Sequence, residues 1–214
     1  MIPGALEGFT CIDVSGHVAG PYAGSLLGDL GCDVIKVELP GGGDTHRGRN
    51  PKYEGYGPSF RALNRNKKSV TLDLRQKKGR EILSKLLTRA DIFLENFRPP
   101  TRNKLGLNYQ EVARINPKLV HCSISGYGQS GPYRDKPGFD TIGQALSGMM
   151  SLVTDLDDPK VAGISFVDHC AGVFAAHGIM AALLARVKTG IGQFIDVSLL
   201  QVATAFIESH VADY

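Results

Sequence analysis

Short apolar runs alternate along this chain with stretches in which apolar positions recur every three or four residues, the pattern of strands separated by helices. Residues 10–14 (TCIDV) read as a first strand and residues 23–30 as a helix with small residues along one side. Residues 33–39 (DVIKVEL) read as a second strand, ended by the Pro40-Gly41-Gly42-Gly43 breaker. Residues 44–60 are polar, rich in Gly, Pro and Tyr and without period, which predicts an ordered functional loop rather than a linker. Strand character returns at residues 69–74 (SVTLDL). A helix is expected over 78–89, with Ile82, Leu83, Leu86 and Leu87 at helical spacing. Residues 92–95 and 119–123 read as further strands, with a short helix over 109–115 closed by Asn116-Pro117. The last third predicts helices over 141–152 and 167–186, the second apolar nearly all round and therefore buried. A turn at 188–192, a strand at 194–197 and a helix over 199–214 complete the pattern. Strands alternating with helices in this way predict an α/β fold: a parallel sheet, right-handed crossovers and helices on both faces.

Composition narrows the function classes. With 43% hydrophobic and 21% charged residues, the chain has the balance of a soluble globular protein. Its net charge of +3 is scattered with no long basic run, which sets nucleic acid aside as a partner. Cys11, Cys32, Cys122 and Cys170 form no CxxC pair, so neither a zinc ribbon nor a thioredoxin motif is present. They read as reduced thiols of a cytoplasmic protein. The N-terminus lacks the basic and apolar regions of a signal peptide. The most apolar stretch, 171–185, is too short to span a bilayer and is interrupted by His177 and Gly178, so no membrane partner is expected. No HxxH or HExxH pairing occurs among the histidines, and no metal site is expected.

Several segments could carry chemistry. The opening strand–turn–helix–strand invites a dinucleotide reading in which Glu38 binds a ribose. The glycines from Gly16 to Gly31 do not spell GxGxxG, however, and spacing by four suits close helix packing instead. Residues 40–44 fit a turn better than a phosphate nest, since no GKS or GKT follows. Asn64-Arg65-Asn66-Lys67-Lys68 is the densest basic site and reads as a solvated turn or an anion contact. Arg75, Arg98, Arg102 and Lys104 follow strand ends, where converging cations would suit a polyphosphate such as that of coenzyme A or a nucleotide. Ser130 lies in a Pro- and Gly-rich loop and not in a GxSxG elbow. Asp168 opens the long apolar helix. Such an acid either satisfies free helix N–H groups or serves as a carboxylate nucleophile held ionised by the helix end.

Taken in series, these segments resemble the family III CoA-transferases, which include formyl-CoA transferase and related acyl-CoA racemases. The matching stretches are Leu6-Glu7-Gly8, residues 16–21 (GHVAGP), 30–38 (LGCDVIKVE), Gly43-Asp44, 64–69 (NRNKKS), 95–99 (ENFRP), 125–132 (SGYGQSGP) and 145–148 (ALSG). Asp168 with Ala171-Gly172, and residues 188–193 (KTGIGQ) ahead of the strand FIDV, continue the family's order. The resemblance implies a Rossmann-like large domain over residues 1–190, in an intertwined dimer, with residues 191–214 leading to a smaller domain. It places Asp168 at the family's catalytic aspartate. Leu72, Arg75, Asn96, Phe97, Arg98 and Lys104 match positions that hold the adenine and phosphates of coenzyme A, and Lys136, Gly138 and Phe139 a further contacting stretch. His17, Val18 and Ala19 match the loop beside the thioester. The implied reaction moves CoA from an acyl-CoA to a carboxylic acid, with no permanently bound cofactor.

Departures from the family pattern refine this expectation. Phe139 stands where the racemase branch has a histidine, and proton transfer on two faces of a carbon needs two acid–base groups, so racemase or isomerase activity is the secondary reading. Val18 replaces the glutamine of formyl-CoA transferase, which turns the expectation from oxalate and formate toward larger carboxylic or dicarboxylic acids. Family members also carry a second half, so a homodimer or a chain supplying that half is the expected partner. A non-catalytic CoA-binding subunit remains a third reading, and a dehydrogenase without GxGxxG the residual one.

Overall fold

The computed structural model describes residues 3–213. Among them, six parallel strands form one sheet: β1 (Thr10–Asp13), β2 (Asp33–Glu38), β3 (Lys67–Thr71), β4 (Ile92–Glu95), β5 (Val120–Ser125) and β6 (Phe194–Ser198). Their order across the sheet is β3-β2-β1-β4-β5-β6, with every neighbouring pair parallel. β4 and β5 are buried at every position, as parallel strands covered on both faces must be, while β3 is a half-exposed edge. The α/β sheet expected from the sequence is therefore present. β6 pairs with β5 from His121↔Phe194 to Ser125↔Ser198, so the boundary drawn at 190/191 falls inside the sheet's own crossover.

The two faces carry separate cores. On one, α1 (Ala19–Asp29) and α8 (Phe166–Thr189) cover Cys11, Val34, Leu94, Cys122 and Ile124. On the other, α3 (Lys77–Leu87) and α5 (Tyr109–Ile115) cover Ile12, Val37 and Phe93 with Leu83, Leu87 and Val112. α1 and α8 touch closely because Gly172 faces α1; a Cβ there would sit 2.9 Å from the Ala19 carbonyl oxygen. α8 is longer than expected, 24 residues, and its length and composition alone would suffice to cross a bilayer. Its buried side packs on α1, β5 and β6, as the core helix of a globular layer does.

Several elements differ from the sequence expectation for local reasons. α1 starts at Ala19 because Pro21 falls in its first turn, where the missing N–H has no intrahelical acceptor to lose. The 44–60 segment holds a 3-10 turn (Thr45–Gly48) and α2 (Pro58–Leu63), and α4 (Pro99–Lys104) follows β4. α2 and α4 open on proline and have only six residues each, too few for a period to show. β3 begins at Lys67 rather than Ser69 and ends at Thr71, which leaves residues 72–74 outside the sheet. The helix expected over 141–152 is two, α6 (Asp140–Leu146) and α7 (Met149–Val153), split by Gly148 at φ 88°. The last one divides at Ile207 into α9 (Leu199–Phe206) and α10 (Glu208–Ala212), and its predicted end at Tyr214 lies outside the described residues.

Asp13, at the end of β1, has no solvent exposure. Its carboxylate accepts from Lys67 Nζ at 2.9 Å and from Ser15 N at 2.9 Å. The lysine also donates to the Pro21 carbonyl at 2.6 Å and Asn64 Oδ1 at 3.0 Å, and passes Gly24, where a Cβ would come within 3.0 Å of Nζ. Burial would raise the Asp13 carboxyl, but Lys67, Lys36 and Ser15 outweigh it and hold it below its ordinary value. Removing one partner of such a pair leaves an uncompensated buried charge, so Lys67→Met is expected to lose about 3–5 kcal/mol of stability. The double change Asp13→Leu with Lys67→Met should lose less than Lys67→Met alone, measured by urea unfolding. A double variant as unstable as the sum of the two singles would contradict the pairing.

Candidate active site

The strand order reverses between β1 and β4, so the loops leaving their C-terminal ends diverge and open a crevice. A cleft of about 680 Å³ lies there. Its walls come from residues 14–19 after β1, 72–75 after β3 and 96–98 after β4, with Gly138, Phe139 and Asp168 from the later chain.

Buried polar groups hold these walls in place. Lys36, on β2 and 1% exposed, donates from Nζ to the Ser15 carbonyl at 2.8 Å and lies 3.2 Å from Asp44 Oδ2. Glu38 accepts from Arg47 at 2.7 and 2.6 Å, from Ser69 Oγ at 2.7 Å and from the Asp44 N–H at 2.9 Å. Burial opposes ionisation of Glu38, yet the Arg47, Ser69 and Asp44 hydrogen bonds bring its carboxyl down to about 2. Glu38 is thus fully engaged within the protein and is not presented to a ribose. Asn96 clamps the β1 loop from across the crevice, accepting from Gly16 N at 2.9 Å and donating to Gly16 O at 2.7 Å. The next residue, His17, is held at φ 65°, a strain on the order of 1 kcal/mol for a side chain with a Cβ. Its ring makes edge contacts with His46 and Phe139, at centroid distances of 6.4 and 6.1 Å. Phe139 follows a close backbone approach, since a Cβ on Gly138 would lie 2.6 Å from Gly126 Cα.

Asp168 occupies the first turn of α8, half-buried on the cleft wall. Its backbone N–H donates to Asp140 Oδ1 at 3.0 Å. Burial first, then the Asp140 carboxylate, raises the Asp168 carboxyl from 3.8 to about 6, with His169 pulling the other way. It remains mostly ionised at neutral pH but is more basic than an ordinary aspartate.

Residues 6–214 match CoA-transferase family III. The chain belongs to this family. Over 99% of its length it is 41% identical to succinyl-CoA–D-citramalate CoA-transferase of Chloroflexus aurantiacus, covering 53% of that protein. It is 42% identical over 96% of its length to acetyl-CoA:oxalate CoA-transferase of Acetobacter aceti, again covering 53%. The crystal structure of a CAIB/BAIF family protein from Brucella suis superposes with a TM-score of 0.94 at 37% identity, covering the whole of this chain and 58% of that one. The chain thus spans about half the length of the curated relatives it matches.

Within this family III chain, the cleft brings together Asp168, His17, Val18, Ala19, Leu72, Arg75, Asn96, Phe97, Arg98, Gly138 and Phe139. Lys104, at the end of α4, and Lys136, whose ammonium stacks 4.2 Å over the Tyr133 ring, are exposed beyond the wall. Arg102 does not turn toward a ligand: it is buried 3.6 Å from Glu95 and 3.3 Å from Ser123. The 64–68 basic cluster is solvated only in part: Arg65, Asn66 and Lys68 are exposed, the first two bound to Asp29, whereas the Lys67 ammonium is buried against Asp13. Arg75 is paired with Asp73 at 2.8 and 2.9 Å, so any phosphate it takes must compete with that carboxylate. Lys36, Asp44 and Asp140 are the site residues that sequence reasoning missed. Lys36 and Asp44 fall in stretches that carry the family resemblance, but nothing in those stretches says that the two pair with each other, and Asp140 meets Asp168 from 28 positions away. Among the described residues, no cluster of three His, Cys, Asp or Glu side chains could hold a metal ion.

The raised carboxyl has a consequence for stability. A group whose folded value lies above its unfolded one contributes fully below about pH 4, and that contribution is lost as pH rises through about 6. Asp168→Asn removes the penalty of burying the charge. Compared by urea unfolding, the variant should exceed the wild type by on the order of 2 kcal/mol near pH 8 and match it near about pH 4. Equal stabilities near pH 8 would mean that the carboxyl is not raised.

Proposed function

We propose that this chain is the nucleophile-bearing half of a CoA-transferase and that Asp168 exchanges CoA between carboxylic acids through covalent intermediates. The observation that carries this reading is the half-buried Asp168 carboxylate on the wall of a switch-point cleft, within the same cavity as Phe97, Arg98, Leu72 and Arg75. In the reaction, an Asp168 oxygen attacks the thioester carbonyl carbon, the carbon–sulfur bond breaks, and CoA leaves as its thiolate. The product is an aspartyl–acyl anhydride. The thiolate then attacks the aspartyl carbonyl of that anhydride and releases the first acid as its carboxylate, leaving an aspartyl-CoA thioester. The acceptor carboxylate attacks this thioester, forms a second anhydride and frees the thiolate again. Attack of the thiolate on the acceptor carbonyl yields the new acyl-CoA and restores Asp168. Keeping these steps covalent protects the thioester's activation from water.

Arg98 and Arg75 are exposed cations lining the cleft, where they would meet the phosphates, and the apolar walls Leu72, Leu74, Phe97 and Leu105 suit the adenine and pantetheine. A partner completes the reading, whether a second copy or a chain supplying the remaining half. The support is the outer face of α8, which leaves Val173, Phe174, Leu184 and Val187 exposed, the last at 83%. A reducing, cytoplasmic setting belongs to the same proposal, in keeping with four free thiols.

Intact mass spectrometry tests the chemistry. After incubation with an acyl-CoA, wild type should carry an acyl or CoA adduct that hydroxylamine converts to a hydroxamate, and Asp168→Asn should carry none. An adduct of equal yield on Asp168→Asn would sink the assignment. For the binding half, Arg98→Ala should weaken CoA binding on the order of tenfold at low salt, with a smaller deficit at high salt as screening takes over. Isothermal titration at two ionic strengths reads this; identical affinities at low salt would remove Arg98 from the phosphate site.

A further inference from the structure

α8 begins without a cap of its own. Ser165 stands at the N-cap position but makes no side-chain hydrogen bond to the helix, although serine there ordinarily accepts from the second or third helical N–H. The third such N–H is that of Asp168, and it donates across to Asp140 Oδ1. Asp140 is the first residue of α6, and its other oxygen accepts from Gln144 Nε2 at 2.5 Å. Asp140 and Gln144 are buried, at 8% and 1% exposure. Gly143 permits the approach of α6 to α8; a Cβ there would lie 3.3 Å from Val167 Cγ1. Neither Asp140 nor Asp168 is ion-paired among the described residues.

We propose that Asp140 is the positioning residue of this site: held by Gln144, it caps α8 from the neighbouring helix and pins the backbone of Asp168 while leaving that side chain free on the cleft wall. A serine hydroxyl could satisfy the same N–H. A carboxylate does something a hydroxyl cannot, because it also sets a like charge beside the Asp168 side chain. Besides Asp140, the charged group that acts on Asp168 is His169 on α8; the walls of the same cleft also carry His17, Lys36, Glu38, Asp44, Arg98 and the Asp73–Arg75 pair. The functional meaning of the arrangement rests on Asp168 being the nucleophile, but the cap can be tested without any chemistry.

Solution NMR of the full chain, with ¹³C-labelled aspartate and ¹⁵N amides, reads both parts of the proposal. Asp140→Asn keeps an acceptor for the Asp168 N–H, and Gln144 can turn its amide to suit, but the charge is gone. Its Asp168 titration should move down from about 6 but stop short of the ordinary value near ~4, because burial, the larger cause, remains, with the Asp168 amide still protected. Asp140→Ala removes the acceptor as well, so the Asp168 amide should exchange about tenfold faster while amides deeper in α8 keep their protection. Gln144→Leu, which frees the Asp140 side chain without touching its charge, provides the same exchange readout if Asp140→Ala does not fold. An unchanged Asp168 titration in Asp140→Asn, or unchanged Asp168 exchange in the alanine and leucine variants, would overturn the proposal. A wild type that forms no covalent adduct would instead count against the nucleophile and leave the cap untouched.

Discussion

The cleft depends on how β1, β2, β3 and the loops beside them keep charged side chains out of water. Asp13, Lys36, Glu38, Asp44 and Lys67 are all nearly inaccessible, and each reaches a partner on a different segment. Ion pairs at such depth add little net stability over apolar packing of the same volume, because desolvation offsets their attraction. Separating a pair is another matter, costing several kcal/mol per uncompensated ion. The loop of residues 15–19, the 43–47 segment and the start of β3 are therefore locked to one another, and none can shift without stranding a charge. Asn96 extends the lock across the crevice to the β4 loop. A rigid wall of this kind is what a site needs if it must hold a large ligand and a reacting carboxylate in register.

Asp168 shows the opposite treatment of a charge. Among the described residues it has no ion-pair partner, and burial and a neighbouring carboxylate raise its carboxyl. The N-terminus of a long helix favours the ionised form in general, yet here desolvation prevails. Burying this charge costs the fold stability at neutral pH. A second buried group, Glu95 with His121 and Arg102 beneath β4 and β5, is structural by contrast. Glu95 accepts from the Phe97 N–H at 2.7 Å and so fixes the loop that carries Phe97 and Arg98. Burial holds the His121 imidazole below its usual value despite Glu95, keeping it neutral.

The fold was largely legible in the residues. β-branched runs such as VIKV and the apolar spacing of Ile82, Leu83, Leu86 and Leu87 state a period, and period reports which side of an element meets the core. α2 and α4 were not legible, being one and a half turns long and opened by prolines that read as breakers. Much of the site was legible only through resemblance. Asp168, Phe97 and Arg98 lie in stretches whose order matches the family, and the structure gathers them in one cleft. Lys67 illustrates the limit: in a run of basic residues it reads as solvated, and only Asp13, 54 positions earlier, makes it a buried ion.

By itself, the sequence determined the α/β class, most strand and helix positions, family membership, and the aspartate at the head of the long apolar helix. These are local properties, written in the period of the apolar residues and in the order of short motifs. Tertiary structure alone decided which charges face inward, why Glu38 and Arg102 are unavailable to a ligand, and which carboxylate stands beside Asp168. The physical reason is distance along the chain. Lys67 for Asp13, Ser15 for Lys36, Gly16 for Asn96 and Asp140 for Asp168 lie 21 to 80 positions away, and a buried charge takes its character from what the fold brings within about 3 Å of it more than from its neighbours in sequence.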